Sequence, residues 1–186
     1  MPEIKDIING CLKGNRKDQE LLYRRHAAKL YAVSLQYSGN YEEARDILQE
    51  GFIKIFENLN HYKYEGSFEG WMRKIIVNTA LEKYRSRNKL YMVDDIDQIP
   101  EPDAWPDTED YSGLEAEDLM DIIRELPPKY RMVFNLFALE GYSHKEISQM
   151  INISEGTSKS NLARARIILR RRVEAYTGIM KKVLNG

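Results

Sequence analysis

The feature that most limits what this chain can become is a run of 21 residues, 93–113, that reads VDDIDQIPEPDAWPDTEDYSG. It holds Pro100, Pro102 and Pro106, a dense set of carboxylates and no apolar periodicity. Proline stiffens an extended backbone and like charges repel, so the segment should behave as a tether. It is long for a loop inside one compact domain, and it divides the 186 residues into two bodies. The charge follows the same division. A formal net charge of −1, read in bulk, speaks against a polyanionic partner. Yet residues 1–91 carry 16 Lys/Arg against 12 Asp/Glu, a balance of +4. Residues 92–118 carry none against 11, and residues 119–186 carry 12 against 6, a balance of +6. Two basic blocks are therefore masked by one acidic connector. The predicted organisation is a domain over 1–91, a linker over 92–114 and a domain over 115–186. The linker is either a solubilising spacer or a polyanion lying along a basic channel where nucleic acid would otherwise run.

Composition narrows the class. Hydrophobic residues make up 42% and charged residues 31%, which is globular, and no stretch approaches the roughly 18 apolar residues of a bilayer crossing. The start, Met1 to Asp6, lacks the apolar run of a secretory signal, so a cytoplasmic protein without membrane insertion is expected. The single cysteine, Cys11, is expected to be a small buried hydrophobe. Nothing points to an enzyme. His26, His61 and His144 lie far apart without metal-ligand spacing, there is no Gly-rich phosphate loop or nucleophile elbow, and no cofactor or metal is expected.

The first block reads as helices joined by short turns. Ile4, Ile7, Ile8, Cys11 and Leu12 share helical spacing; a second stretch carries Leu21, Leu22, Leu30 and Val33 and ends at Gly39-Asn40. Between Tyr41 and Leu59, Ala44, Ile47, Leu48, Phe52, Ile55, Phe56 and Leu59 recur in steps of mostly three and four. On the other side of that helix lie Asp46, Gln49, Glu50 and Ile53, either a solvated face or a docking surface with a small apolar centre. A further helix starts near Phe68, after Glu65-Gly66-Ser67. Its apolar stripe is Phe68, Met72, Ile75, Ile76 and Thr79, while Trp71, Lys74 and Asn78 step along a flank with Arg85 two turns on. A ring that stacks on unpaired bases, cations for phosphates and an amide for a base edge would suit single-stranded nucleic acid. On spacing alone Trp71 could equally be core.

The second block is more specific. Leu114 to Leu126 and Tyr130 to Leu139 read as helices punctuated by Pro127-Pro128 and Gly141. Ser143-His144-Lys145-Glu146 is a capping box opening a short helix, Asn152-Ile153 is a turn, and Ser154 caps a long basic helix. In that helix Leu162, Ala165, Leu169 and Val173 form the buried stripe; Lys159, Ser160, Ala163 and Arg164 lie opposite. A short helix, a tight turn and a basic helix make a helix-turn-helix, whose second helix enters the major groove; Arg166, Arg170, Arg171 and Arg172 would follow the flanking backbone.

The segments EEARDILQEGFIKIF, SFEGWMRKIIVNTALEKYRSR and LPPKYRMVFNLFALEGYSHKEISQMINISEGTSKSNLARARIILRR, in that order, resemble the extracytoplasmic-function (group IV) sigma factors of bacterial RNA polymerase. The resemblance covers almost the whole chain. It implies an all-α fold of two small helical domains, region 2 and region 4, joined by a flexible linker that runs through the polymerase cleft. It further implies an alternative-sigma initiation factor that binds core RNA polymerase, recognises minus-35 and minus-10 promoter DNA and nucleates melting. By that likeness Asp46, Gln49, Glu50 and Ile53 would meet the clamp helices of the largest polymerase subunit, and region 4 the flap of the second. Phe68, Trp71, Lys74, Asn78 and Arg85 would serve the minus-10 element, with the His61 to Phe68 loop capturing a flipped base. Thr157, Lys159, Ser160, Ala163, Arg164 and Arg166 would serve the minus-35 element, and an anti-sigma factor would hold the protein in check. The chain departs from many relatives in having Ser158 for a valine, Lys159 for an arginine and Ala163 for a larger side chain. Lysine lacks the guanidinium fork, so looser or backbone-directed minus-35 reading is expected. The alternative is a helix-turn-helix repressor or activator that acts without core polymerase; it shares residues 115–186 but leaves the Trp71/Lys74/Asn78 face without a purpose.

Overall fold

The structure is a computed structural model that describes residues 3–88 and 115–184, so the 92–114 linker lies outside the described residues. Its contacts fall into two compact units, Met1–Ser86 and Arg87–Gly186. Every regular element among the described residues is helical.

The first unit holds α1 (Ile4–Leu12), α2 (Arg16–Tyr37), α3 (Tyr41–Asn58), a 3-10 turn (Leu59–His61) and α4 (Phe68–Asn88). Each start has a chemical reason. Asn15 accepts from the Lys17 amide at 3.0 Å, Asn40 from the Glu43 amide at 2.8 Å, and Ser67 from the Gly70 amide at 3.0 Å. Glu43 reaches back to the Gly39 amide at 2.8 Å, so α3 opens with donors satisfied on both sides of its cap. The core is assembled from Ile7 and Ile8 of α1, Leu22 and Leu30 of α2, Ala44, Ile47, Phe52 and Ile55 of α3, and Met72, Ile76 and Val77 of α4. Cys11 is buried as expected, and burial together with Asp18 pushes its thiol up to about 11. At Gly51 the backbones of α3 and α4 approach so closely that an added Cβ would lie 2.3 Å from Ile76 Cδ1.

The second unit holds α5 (Ala116–Arg124), α6 (Pro128–Phe134), a π-helical turn (Asn135–Leu139), α7 (His144–Ile151) and α8 (Glu155–Leu184). The helix expected over 114–126 is shorter, because Glu115 and Asp118 form a capping box at one end and the chain turns before Pro127 at the other. Pro128 opens the next helix, where its missing N–H costs nothing. The helix expected over 130–139 continues as a π turn into Gly141, whose φ of +75° ends it. Ile122, Ile123, Leu126 and Tyr130 pack on Ala165, Leu169 and Val173 of α8 to form the core. The predicted capping box is present: Ser143 Oγ accepts from the Glu146 amide at 3.3 Å, and Glu146 accepts from the Ser143 amide at 2.8 Å. Asn152 takes a left-handed conformation with φ of +57° at the turn, and Ser154 Oγ accepts from the Thr157 amide at 2.9 Å to start α8.

Candidate nucleic-acid interface

Helix α4 and the end of α3 border an open pocket of about 350 Å³ lined by Asn58, His61, Trp71, Lys74, Ile75 and Asn78. That size lies at the small end of ligand pockets. The flank expected to meet nucleic acid is therefore one wall of a real concavity. Trp71 is half-buried and its ring stacks on Phe68 with centroids 5.6 Å apart and planes 17° from parallel. Tyr62 packs against both at 5.0 and 5.4 Å, and Tyr64 packs on Tyr62 at 4.9 Å. Two expectations change here. Phe68 is only 7% exposed, wedged between Trp71, Tyr62 and the His26 ring, so its ring backs Trp71 and offers little surface of its own. Ile75, expected in the core stripe, is half-buried and faces the pocket. Arg85 is exposed near the end of α4.

His26 is 4% exposed, and neither ring nitrogen has a hydrogen-bond partner among the described residues. Glu69 stands 3.7 Å from Nδ1, beyond a hydrogen bond, and pairs with Lys29 at 2.9 Å. Burial pushes the imidazole below its ordinary value, and Glu69 offsets that only in part.

On the outer side of α3, Asp46 and Gln49 are exposed and Ile53 is 58% exposed. Glu50 is half-buried and bridges Lys54 at 3.1 Å and Lys83 of α4 at 3.5 Å; Lys83 also stands 4.0 Å from Asp46, and Lys54 reaches Glu82 at 2.5 Å. Burial raises the Glu50 carboxyl, but the two lysines outweigh it and hold it below the usual carboxylate range. The result is a shallow apolar point ringed by charges already held in place from α4.

On α8, Lys159 and Arg166 are exposed and Ala163 and Arg164 half-buried along one side of the helix. Thr157 and Ser160 are partly engaged: Thr157 Oγ1 lies 2.8 Å from Ser154 Oγ, and the Ser160 hydroxyl donates to the Thr157 carbonyl at 3.0 Å. Arg170 pairs with Glu174 at 3.1 Å, and Arg172 with Glu125 at 2.7 Å, which ties α8 to the end of α5. Those two arginines, expected along a phosphate backbone, are thus shared with carboxylates of the same unit.

Comparison with known proteins finds a match for each half of the chain. Residues 22–90 match Sigma-70 region 2 and residues 116–169 match Sigma-70, region 4. The chain belongs to the sigma-70 family, in its extracytoplasmic-function group. It is 34% identical over 152 residues to the ECF RNA polymerase sigma factor SigE of Mycolicibacterium smegmatis, covering 80% of this chain and 59% of that relative. It is 27% identical over 180 residues to the ECF sigma factor SigW of Bacillus subtilis, covering 91% of this chain and 96% of SigW. Among solved structures, the sigma factor RpoE in complex with the anti-sigma factor NepR from Bartonella quintana aligns over 85% of this chain and 98% of that one, with 21% identity and a TM-score of 0.48.

Within region 2 the pocket adds Asn58 to the residues read from sequence. Its amide donates to the Lys54 carbonyl at 2.8 Å, which fixes its orientation at the end of α3. No periodicity marks such a residue, since it sits where the helix gives way to the 3-10 turn. The loop that follows is held from α1, where Lys5 lies 5.9 Å over the Tyr64 ring, and Tyr64 keeps a left-handed backbone with φ of +59°.

Proposed function

We propose that this protein is an alternative sigma factor that docks on core RNA polymerase, recognises minus-35 and minus-10 promoter DNA and nucleates strand opening in the cytoplasm, performing no chemistry itself. The observation that carries the reading is the α4 pocket, in which an aromatic wall, a cation and two amides surround a space of about 350 Å³. A melted base stacked there on Trp71 gains about 1–3 kcal/mol, of the same order as the few kcal/mol that unstacking it costs. Lys74 and Arg85 meet phosphates beside it, and Asn78 reads a base edge. Asp46, Gln49, Glu50 and Ile53 form the docking face for the clamp helices of the largest polymerase subunit. In region 4, Thr157, Lys159, Ser160, Ala163, Arg164 and Arg166 face the minus-35 duplex, and the domain sits on the flap of the second subunit. Membership of the group also implies an anti-sigma factor that covers these surfaces until a signal releases them.

The deciding experiment is a native pull-down of bacterial core RNA polymerase, followed by run-off transcription from a promoter library. Core binding with promoter-dependent transcripts is expected. Duplex DNA binding without core binding would replace this reading with a helix-turn-helix repressor or activator.

A further inference from the structure

Ser158 lies one residue before Lys159 on α8 and is 0% exposed. Its Oγ is 2.9 Å from Nδ1 of His144, the first residue of α7. The His144 ring in turn stacks on Phe137 of the π turn, with centroids 4.8 Å apart and planes 20° from parallel. The guanidinium of Arg166 lies 5.9 Å over that same Phe137 ring. A connected path thus leaves α8 at Ser158, passes through both elements that precede the reading helix, and returns to α8 at Arg166.

The direction of the hydrogen bond follows from burial. A hydroxyl sealed from water must place its proton on an acceptor, and His144 Nδ1 is the side-chain partner found for Ser158 among the described residues. Burial, then Lys159 and Arg166, push His144 below its ordinary value, opposed only by Glu155, so the ring is neutral at pH 7. A neutral ring that accepts at Nδ1 carries its proton on Nε2.

We infer that Ser158 and His144 are positioning residues for minus-35 reading: the Ser158 hydroxyl donates to His144 Nδ1 and thereby fixes the roll of α8, and the aim of Lys159 and Arg166, against the first helix of the helix-turn-helix. The inference rests on the proposed reading of α8 as the duplex-reading helix. An apolar side chain at 158 keeps α8 packed yet leaves its rotation set by shape alone. A directional bond removes that freedom, and discrimination between base pairs depends on aim more than phosphate attraction does. The pair therefore governs selectivity and leaves non-specific affinity and its salt dependence unchanged.

The test uses full-length protein assembled with bacterial core RNA polymerase on a double-stranded library randomised over the minus-35 hexamer. Wild type selects one hexamer over its single-base variants. Ser158→Ala lowers that selectivity by about tenfold, as loss of one buried hydrogen bond predicts. Ser158→Val and Ser158→Thr share one shape, so Val should lose selectivity and Thr retain most of it. His144→Phe, which keeps a ring on Phe137, should match Ser158→Ala, whereas affinity for random duplex stays level in all variants. Nitrogen chemical shifts of His144 in the free full chain should report the Nε2–H tautomer in wild type and a mixture in Ser158→Ala. Wild-type selectivity in Ser158→Ala, or equal losses in Val and Thr, overturns the inference and leaves the sigma-factor reading standing. A wild-type holoenzyme indifferent to the hexamer overturns the DNA-reading role of α8 itself, and the inference with it.

Discussion

Phe68 and Trp71 stand three residues apart on α4 with stacked rings, yet truncating them should do different things. Phe68 is closed in by Tyr62, Trp71 and His26, so Phe68→Ala leaves a cavity. That costs about 3–5 kcal/mol of stability and weakens every activity of region 2 together. Trp71 is half-buried with one side open to the pocket. Trp71→Ala should cost less stability but lower affinity for single-stranded minus-10 DNA by roughly 5- to 150-fold, the equivalent of one lost stacking contact of about 1–3 kcal/mol. Asn78→Ala, at an exposed position, should impair opening of the minus-10 element with urea stability and core-polymerase binding unchanged. Urea unfolding, anisotropy with a labelled single strand and the core pull-down separate these outcomes; equal loss of core affinity in Asn78→Ala would make that residue structural. The sequence could place both rings on α4 but not tell them apart. Helical spacing gives a direction from the axis, whereas exposure depends on Tyr62 and His26, brought in from a loop and from α2.

At the scale of elements, caps were readable where they are local chemistry: Ser143 with Glu146, and Ser154 with the Thr157 amide, are satisfied within three residues of themselves, whereas Gly39-Asn40 read only as a break and its cap on Glu43 did not. What spacing left out was contact between elements. It gave no sign of the Lys83 to Glu50 bridge from α4 to α3, the Arg172 to Glu125 bridge from α8 to α5, or Asn58 in the pocket. Gly51 belongs to the same category. In an isolated helix Gly→Ala is favourable by about 1 kcal/mol, but here the new methyl would meet Ile76 Cδ1 at 2.3 Å inside a filled core. Overpacking of that kind costs about 1–3 kcal/mol, so Gly51→Ala should be destabilising on balance. Ile76→Val removes the Cδ1 methyl, and in that background Gly51→Ala should become neutral or stabilising. A double-mutant cycle by urea unfolding measures the coupling, expected to be at least about 1 kcal/mol. Additive behaviour would mean that the α3–α4 contact gives way without cost.

For the whole molecule, a sequence with almost no net charge still separates into two basic helical units and an acidic segment, so any bulk property averages over parts that behave differently. Stability against pH is one such property, and in the first unit it turns on His26. Its ring is buried, lacks a hydrogen-bond partner among the described residues and has its proton affinity lowered mainly by burial. The unfolded chain has an ordinary imidazole, near 6.5. Below that value the unfolded state binds a proton that the folded state resists, so stability is full above about 6.5 and falls as pH drops through and below it. Glu50 and Glu69, both held below the usual carboxylate value, are ionised in both states between pH 5.5 and 7.5 and leave that window to histidine. Urea unfolding followed by Trp71 fluorescence, with Trp105 replaced by Phe so that region 2 alone is read, should give a lower midpoint at pH 5.5 than at pH 7.5. His26→Leu, which cannot titrate, should flatten the difference. His144→Phe, in the other unit, should leave the Trp71 midpoint and its pH dependence as they are. A level wild-type midpoint across that range would mean that His26 accepts its proton as readily folded as unfolded, and that Glu69 swings from Lys29 to meet it.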